Sequence, residues 1–271
     1  MRVLWRTSLA AFFLLGAVAL SSVPVDAVAK PTRVPKAITV RPKSVGSPDQ
    51  GTLVGGKKLE PNENLRAIGG HRFGLPELVD LLTRGAAEVA KKHPRSMLNV
   101  GDLSRRGGGE VDGHRSHESG RDADVGFYLS KNGKHFVPPR FAAIDADGKA
   151  TGFPGARFDD ARNWALIQAF LTDPKAHVLQ IFVSNPVKKL LLAEAARSGA
   201  PAAVRARAAE VLFQPTKGLP HDNHFHVRIA CPKGNVDCVN FGKRALTKAT
   251  GRKRGPAVAQ RSSQASKSAK R

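Results

Sequence analysis

The stretch His221-Asp222-Asn223-His224-Phe225-His226-Val227-Arg228-Ile229 constrains the fold more than any other part of the chain. Successive side chains of a β-strand point to opposite faces. Read as a strand, the segment puts Phe225, Val227 and Ile229 on one face, to be packed into a core. His224, His226 and Arg228 share the other. Two imidazoles side by side on a polar strand face are costly to hold unless something binds them. A divalent metal is the usual answer, neutral imidazole being the commonest metal ligand.

Partners for that pair lie in Gly113-His114-Arg115-Ser116-His117-Glu118-Ser119-Gly120-Arg121-Asp122-Ala123-Asp124-Val125. This segment runs into a second alternating stretch, Asp122 to Leu129. There Ala123, Val125, Phe127 and Leu129 share one face, and Asp122, Asp124 and Gly126 the other. Gly120 permits a tight bend, so a loop from His117 can fold back towards Asp124. If the two strands are neighbours, Asp124 and His226 face one cleft. His117, Asp124 and His226 would then hold one Zn2+ per chain and leave a fourth position for water, the pattern of a catalytic zinc. Such a site brings the pKa of its water to about 7. His224, two residues before a ligand and on its face, is placed to act as base. His114 and His221 would stand behind the ligands, to orient them or to stabilise an oxyanion. Asp122 reads as a hydrogen-bonding group rather than a ligand. Five of the nine histidines fall in these two clusters. That concentration argues for a joint role; His71, His93, His135 and His177 read as ordinary surface or core residues.

Residues 1–29 read as a secretory signal peptide. Arg2 and Arg6 precede the apolar run Leu9 to Leu20, and Ala27-Val28-Ala29 supplies small residues for cleavage. The run is short for a bilayer span, which takes about 20 residues. No other segment is apolar enough, so the chain is expected to be exported, with no transmembrane span after cleavage. Cys231 and Cys238, with six residues between them in an exported protein, suggest a disulfide. Residues 30–59, rich in Pro, Lys, Gly and Ser, read as a linker, and 60–242 as the organised domain. Residues 243–271 hold ten Lys or Arg and no acid, the mark of a disordered basic tail. A formal net charge of +22 favours polyanionic partners. In the envelope these would be anionic polymers and lipid head groups met by the tail. Nucleic acid is not expected, because the leader points outward and the tail lacks aromatics to stack on bases.

Within 60–242 the periodicity predicts helices over 75–92, 159–171, 185–199 and 201–213. Pro76 stands near the first start, and Asn185-Pro186 is a good third start with Asn185 as N-cap. Strands are predicted at 97–100, 122–129 and 178–183, besides the histidine strand. Helices and strands mix without a regular β-α-β rhythm. The expected class is α+β, a mainly antiparallel sheet flanked by helices with a single zinc site on the sheet face.

The pattern G-H-x-S-H-x-[ST]-G-x-D-x-D at Gly113–Asp124, with H-x-x-H-x-H-V-R-[IL]-x-C-P at His221–Pro232, resembles the penicillin-insensitive murein endopeptidases. A weaker match, I-F-V-x-P-x-K with Asn185 inserted, lies at Ile181–Lys188. The resemblance covers about 75–231. It implies membership of the wider group of lysostaphin-type peptidases, D-Ala-D-Ala metallopeptidases and the hedgehog domain. It also implies an antiparallel sheet bearing one zinc, with His117, Asp124 and His226 as ligands and His224 as base; His114 and His221 match two further active-site histidines. The implied activity is hydrolysis of the D-alanyl–diaminopimelate cross-link of peptidoglycan, and the implied location is periplasmic or secreted, in a bacterium. A zinc D,D-carboxypeptidase trimming terminal D-Ala and a non-catalytic wall-binding protein stay open as alternatives.

Overall fold

The computed structural model describes residues 40–241. Strands β1 (Lys43–Ser47) and β2 (Gln50–Val54) form an antiparallel hairpin. Short strands β3 (Lys57–Lys58), β4 (Leu65–Ala67) and β5 (Phe73–Gly74) lead to helix α1 (Pro76–Lys92). After β6 (Leu98–Val100), a long loop enters β7 (Asp122–Gly126). Next come β8 (Leu129–Lys131), β9 (Lys134–Phe136), β10 (Ala156–Phe158) and helix α2 (Asp160–Leu171). Strand β11 (Val178–Phe182) precedes α3 (Asn185–Arg197), α4 (Ala202–Val211) and β12 (Leu212–Phe213). The histidine strand is β13 (His224–Ile229).

The fold is α+β, but its principal sheet is mixed. Six strands run in the order β12-β11-β13-β7-β6-β4. The three central pairs are antiparallel, whereas β11–β12 and β4–β6 at the two edges are parallel. This corrects the expectation of a mainly antiparallel sheet. Parallel neighbours need a long crossover. Here α3 with α4 provides one between β11 and β12, and a loop of some thirty residues containing α1 joins β4 to β6.

One sheet face takes the apolar side chains. Phe225, Val227, Ile229, Ala123 and Val125 are all essentially inaccessible to solvent, as the alternation required. On α1, Leu78, Leu82, Ala86 and Val89 recur at helical spacing and are buried. Lys91 and Lys92 close that helix where its dipole favours cations. Gly85, mid-helix, has a packing reason: a Cβ there would meet Phe170 Cε1 of α2 at 2.4 Å.

Other expectations need correcting. The strand over 122–129 breaks after Gly126, and Leu129 opens a separate sheet ordered β10-β8-β9. At the break the side chain of Asn163 replaces the ladder: its Oδ1 accepts from Tyr128 N (2.9 Å) and its Nδ2 donates to Tyr128 O (2.8 Å). Ser184, not Asn185, is the N-cap position of α3, and it makes no side-chain cap bond. The Lys188 of the weaker motif is structural, donating to the carbonyls of Ala209 (2.8 Å) and Leu212 (2.5 Å) at the end of α4.

The expected linker is ordered from Val40 onward. Its hairpin bonds to distant backbone, Leu53 N to Gly107 O (3.0 Å) and Gly46 N to Asp237 O (2.8 Å). The organised part therefore begins about twenty residues earlier than its composition indicated. The signal peptide, residues 30–39 and the basic tail from 243 lie outside the described residues. Cys231 and Cys238 form the expected disulfide. The loop they close packs on β1, and the fully buried Arg121 ties both down: it donates to Val239 O (2.6 Å) and Ser44 Oγ (3.2 Å). Among the described residues no helix is long and apolar enough to cross a membrane.

His135, far from the histidine strand in sequence, supplies a pH dependence. Its Nδ1 donates to Leu129 O (3.2 Å), so its Nε2 accepts from Met97 N (3.1 Å) only while the ring is neutral. Burial, then the charge of Arg162, lowers its pKa below the ordinary value. A group whose pKa is depressed on folding contributes stability above its unfolded pKa and loses it as the pH falls. Thermal midpoints should therefore drop from about pH 6.5 downward. The drop should be shallower in His135→Gln, which stays neutral throughout; equal slopes in both proteins would refute the assignment.

Candidate metal centre

β13 and β7 lie side by side in a register that sets His226 opposite Asp124 and Arg228 opposite Asp122. The polar faces of the two strands therefore coincide. Asp124 sits at the middle of a ring of imidazoles. Its Oδ1 lies 3.3 Å from His117 Nε2, 3.3 Å from His224 Nε2 and 3.4 Å from His226 Nδ1. Its Oδ2 lies 3.6 Å from His114 Nδ1. His221 closes the ring, 5.2 Å from His224 and 5.5 Å from His226 between centroids. All six residues singled out in the sequence thus meet at one place.

The loop from 101 to 121 delivers His117. Segment 101–104 runs beside β7, with Asp124 N donating to Asp102 O (2.9 Å) and Gly101 N to Asp124 O (2.8 Å). His117 adopts a left-handed backbone, φ +76°, a conformation costing a non-glycine residue roughly 1–2 kcal/mol. Ser104 keeps it there: its hydroxyl donates to the His117 carbonyl and accepts from Gly120 N (2.9 Å). Gly120 is itself at φ +75°, and a Cβ would strike Leu53 of the N-terminal hairpin at 2.6 Å.

Hydrogen bonds fix which ring nitrogens face the centre. His117 Nδ1 donates to Leu103 O (2.8 Å), leaving the Nε2 lone pair pointing at Asp124. His224 Nδ1 donates to Asn223 Oδ1 (2.6 Å), again freeing Nε2. His226 is turned the other way. Its Nε2 donates to Asp122 Oδ1 (2.8 Å), and Nδ1 is free. His221 Nδ1 donates to Leu219 O (3.0 Å), so its Nε2 is an acceptor. His114 stands between two carboxylates, with Nε2 3.5 Å from Asp102 Oδ2.

The donor set suits a cation. His117 is fully buried and Asp124 nearly so. Yet among the described residues His117 Nε2 and Asp124 Oδ1 have no hydrogen-bond partner, a costly state for buried polar atoms. Burial alone would push the Asp124 carboxyl up, but His117 and then His224 outweigh it and hold it well below the usual carboxylate range. Burial likewise works against a charged His117, and Asp124 overrides it, raising the imidazole. Both shifts have one cause, the attraction between an imidazolium and a carboxylate placed side by side. Around an ion with bonds of about 2.0–2.2 Å, tetrahedral ligand atoms are roughly 3.3–3.6 Å apart, and the distances from Asp124 Oδ1 to His117, His224 and His226 fall in that range. Among the described residues, the three that offer ligand atoms all within 4.8 Å of one another are His114, His117 and Asp124; spacing alone does not put His226 in that set.

Several contributors were not picked out from the sequence. Phe141 stacks on His224 (centroids 5.2 Å), and its ring lies over Gly101 and Gly126, whose missing Cβ atoms leave room for it. Phe182 stacks on His221 (5.7 Å) and meets His226 edge-on (4.9 Å). Asp102 faces His114. Asp122, by contrast, was read from the sequence as a hydrogen-bonding group, and it bonds His226.

Comparison with known sequences gives a consistent result. The model of a family described as penicillin-insensitive murein endopeptidase matches residues 44–270. A protein of that name from Yersinia pestis bv. Antiqua (strain Antiqua) is 26% identical over 239 residues, covering 84% of this chain and 81% of the relative. The Haemophilus influenzae protein of that name is 30% identical over 208 residues, covering 72% and 66%. Its Escherichia coli O157:H7 counterpart is 26% identical over 243 residues, covering 86% and 81%.

Proposed function

Because the chain belongs to the penicillin-insensitive murein endopeptidase family, we propose that it hydrolyses the D-alanyl–diaminopimelate cross-links of peptidoglycan with one zinc ion held by His117, Asp124 and His226. At the coarser level it is a hydrolytic peptidase of the cell wall. What supports the finer reading is the convergence of both histidine clusters on the single carboxylate of Asp124.

When bound, zinc supplies a Lewis acid that activates water near neutral pH and polarises the scissile carbonyl. The remaining work belongs to the chain. Of the two histidines on the β13 polar face, His226 is the more buried and suits a ligand; His224 reaches solvent and can meet substrate. His224 takes the proton of the attacking water at Nε2, the nitrogen left free by the bond to Asn223. It then returns that proton to the departing amine. Asn223 and Phe141 keep its ring in place. His114 orients the second oxygen of Asp124. With Nδ1 committed to Leu219, His221 offers substrate an acceptor at Nε2 and suits an amide N–H better than an oxyanion. No side chain is acylated on this route, so a β-lactam has no nucleophile to trap.

Mass spectrometry of muropeptides released from sacculi tests the activity. Cross-linked dimers should become monomers, chelator should stop the conversion, added zinc should restore it, and penicillin should not affect it. Loss of terminal D-Ala from monomeric pentapeptides with dimers intact would establish a D,D-carboxypeptidase instead. Intact substrate under all conditions would leave only wall binding.

The site of action on this reading is the periplasm or the cell exterior. The tail at 243–271, ten cations and no acid, tethers the enzyme to anionic envelope polymers. Deleting 246–271 should weaken salt-sensitive binding to sacculi while sparing activity on a soluble muropeptide; unchanged binding would overturn the tether.

A further inference from the structure

We infer that Asp122, seated by Arg228, is a positioning residue of the metal centre: it selects the nitrogen of His226 that faces the ion. The inference rests on the reading of His226 as a ligand.

Asp122 is completely buried. One of its oxygens, Oδ1, accepts from His226 Nε2 at 2.8 Å and from Arg228 Nε at 2.6 Å. The other makes no hydrogen bond among the described residues. A carboxylate has no proton to give, so the short contact to His226 requires an N–H on Nε2. A neutral imidazole carries a single N–H, and the lone pair is therefore on Nδ1. That nitrogen is the one 3.4 Å from Asp124 Oδ1. The opposite tautomer would turn an N–H towards the centre and could not ligate. His226 thus differs from His117 and His224, which present Nε2 and anchor Nδ1. Its ring is reversed because its anchor lies on the neighbouring strand and not near its own backbone.

Strand register builds the device. Two carboxylates two residues apart share one face of β7, and β13 sets His226 opposite the second and Arg228 opposite the first. Asp122 therefore lies diagonal to His226, within reach of the far side of its ring. Left alone, Asp122 would be a second buried anion beside Asp124, free to compete for the cation. Arg228 weakens that competition by offsetting the charge of Asp122 through the oxygen that His226 also uses. The guanidinium is itself held over the Phe182 ring at 5.2 Å, and Phe182 meets His226 edge-on. Arginine, carboxylate and imidazole form one chain directed at the metal. Partners of this kind orient ligating histidines and raise their basicity.

Zinc affinity, read by competition with a chromophoric chelator, tests the inference together with nitrogen NMR of the metal-free chain. In the native chain His226 should carry its proton on Nε2. In Asp122→Leu and Asp122→Ala, which remove the acceptor, that tautomer should lose its dominance, and zinc should bind about 10–100-fold more weakly, the usual loss for such partners. Asp173→Asn is the control. Asp173 is half-buried, with a side chain that is little exposed, and is bound to an arginine, Arg84, at 2.7 and 2.9 Å, but stands apart from the centre. That variant should unfold more readily with zinc affinity unchanged. Should Asp122→Ala fail to fold, Asp122→Leu, which fills the space without an acceptor, decides. Native zinc affinity and a native His226 tautomer in Asp122→Leu would overturn the positioning role. His226→Ala separates the two levels: stoichiometric zinc in that variant defeats the ligand reading itself, whereas its loss beside a native-like Asp122→Leu defeats this inference alone.

Discussion

Asp124→Ala should bind no stoichiometric zinc and should lose peptidase activity by at least about 10³-fold, since Lewis-acid catalysis is worth several kcal/mol and each 1.36 kcal/mol is a factor of ten. The reason is the position of this carboxylate. Among the described residues it is the only acid facing His117, His224, His226 and His114 together. Without it the imidazoles bring no negative charge to offset that of an ion. The loss should not come from unfolding. The side chain projects from the polar face of β7, and the core beneath is built from Ala123 and Val125. Metal content by elemental analysis and melting behaviour of the metal-free protein separate the two causes. A folded Asp124→Ala protein with one zinc per chain would show that the carboxylate is not a ligand.

The second large effect is expected at His224. Its ring lies on the polar face two residues before His226, partly open to solvent, against Phe141. His224→Ala should keep its zinc and its fold and lose about 10²–10⁴-fold in turnover, the range for a positioned general base. The decrease should fall on kcat rather than KM, because proton transfer occurs only in the transition state. Were turnover retained, the base would have to be sought elsewhere in the ring; His221, whose free nitrogen is also an acceptor, is the first place to look.

The contrast between these two neighbours was legible in the sequence because a strand alternates. Phe225, Val227 and Ile229 had to face the core, which fixed the direction of His224 and His226 before any partner was known. Helices α1 and α2 were legible for the same kind of reason: their apolar spacing is local. Sheet direction was not. Whether β12 runs with or against β11 depends on crossovers, and periodicity within a strand says nothing about them. The hairpin of β1 and β2 was hidden by composition. Lys43, Gly46, Ser47 and Pro48 resemble a linker, and the hairpin is stabilised by bonds to Gly107, Glu118 and Asp237, far along the chain. Asp122 was a partial success. Its face and its hydrogen-bonding character could be read, but its partner His226 lies 104 residues away. The left-handed backbone of His117 was equally hidden, since Ser104, which stabilises it, sits on another segment.

Anomalous diffraction at the zinc edge, from the chain loaded with one equivalent of zinc, tests the centre most directly. The expected map holds one ion bonded to His117 Nε2, to an oxygen of Asp124 and to Nδ1 of His226, with His224 close by but unbonded. An ion gripped by His114, His117 and Asp124, with His226 left in its bond to Asp122 and Nδ1 free, would contradict the assignment.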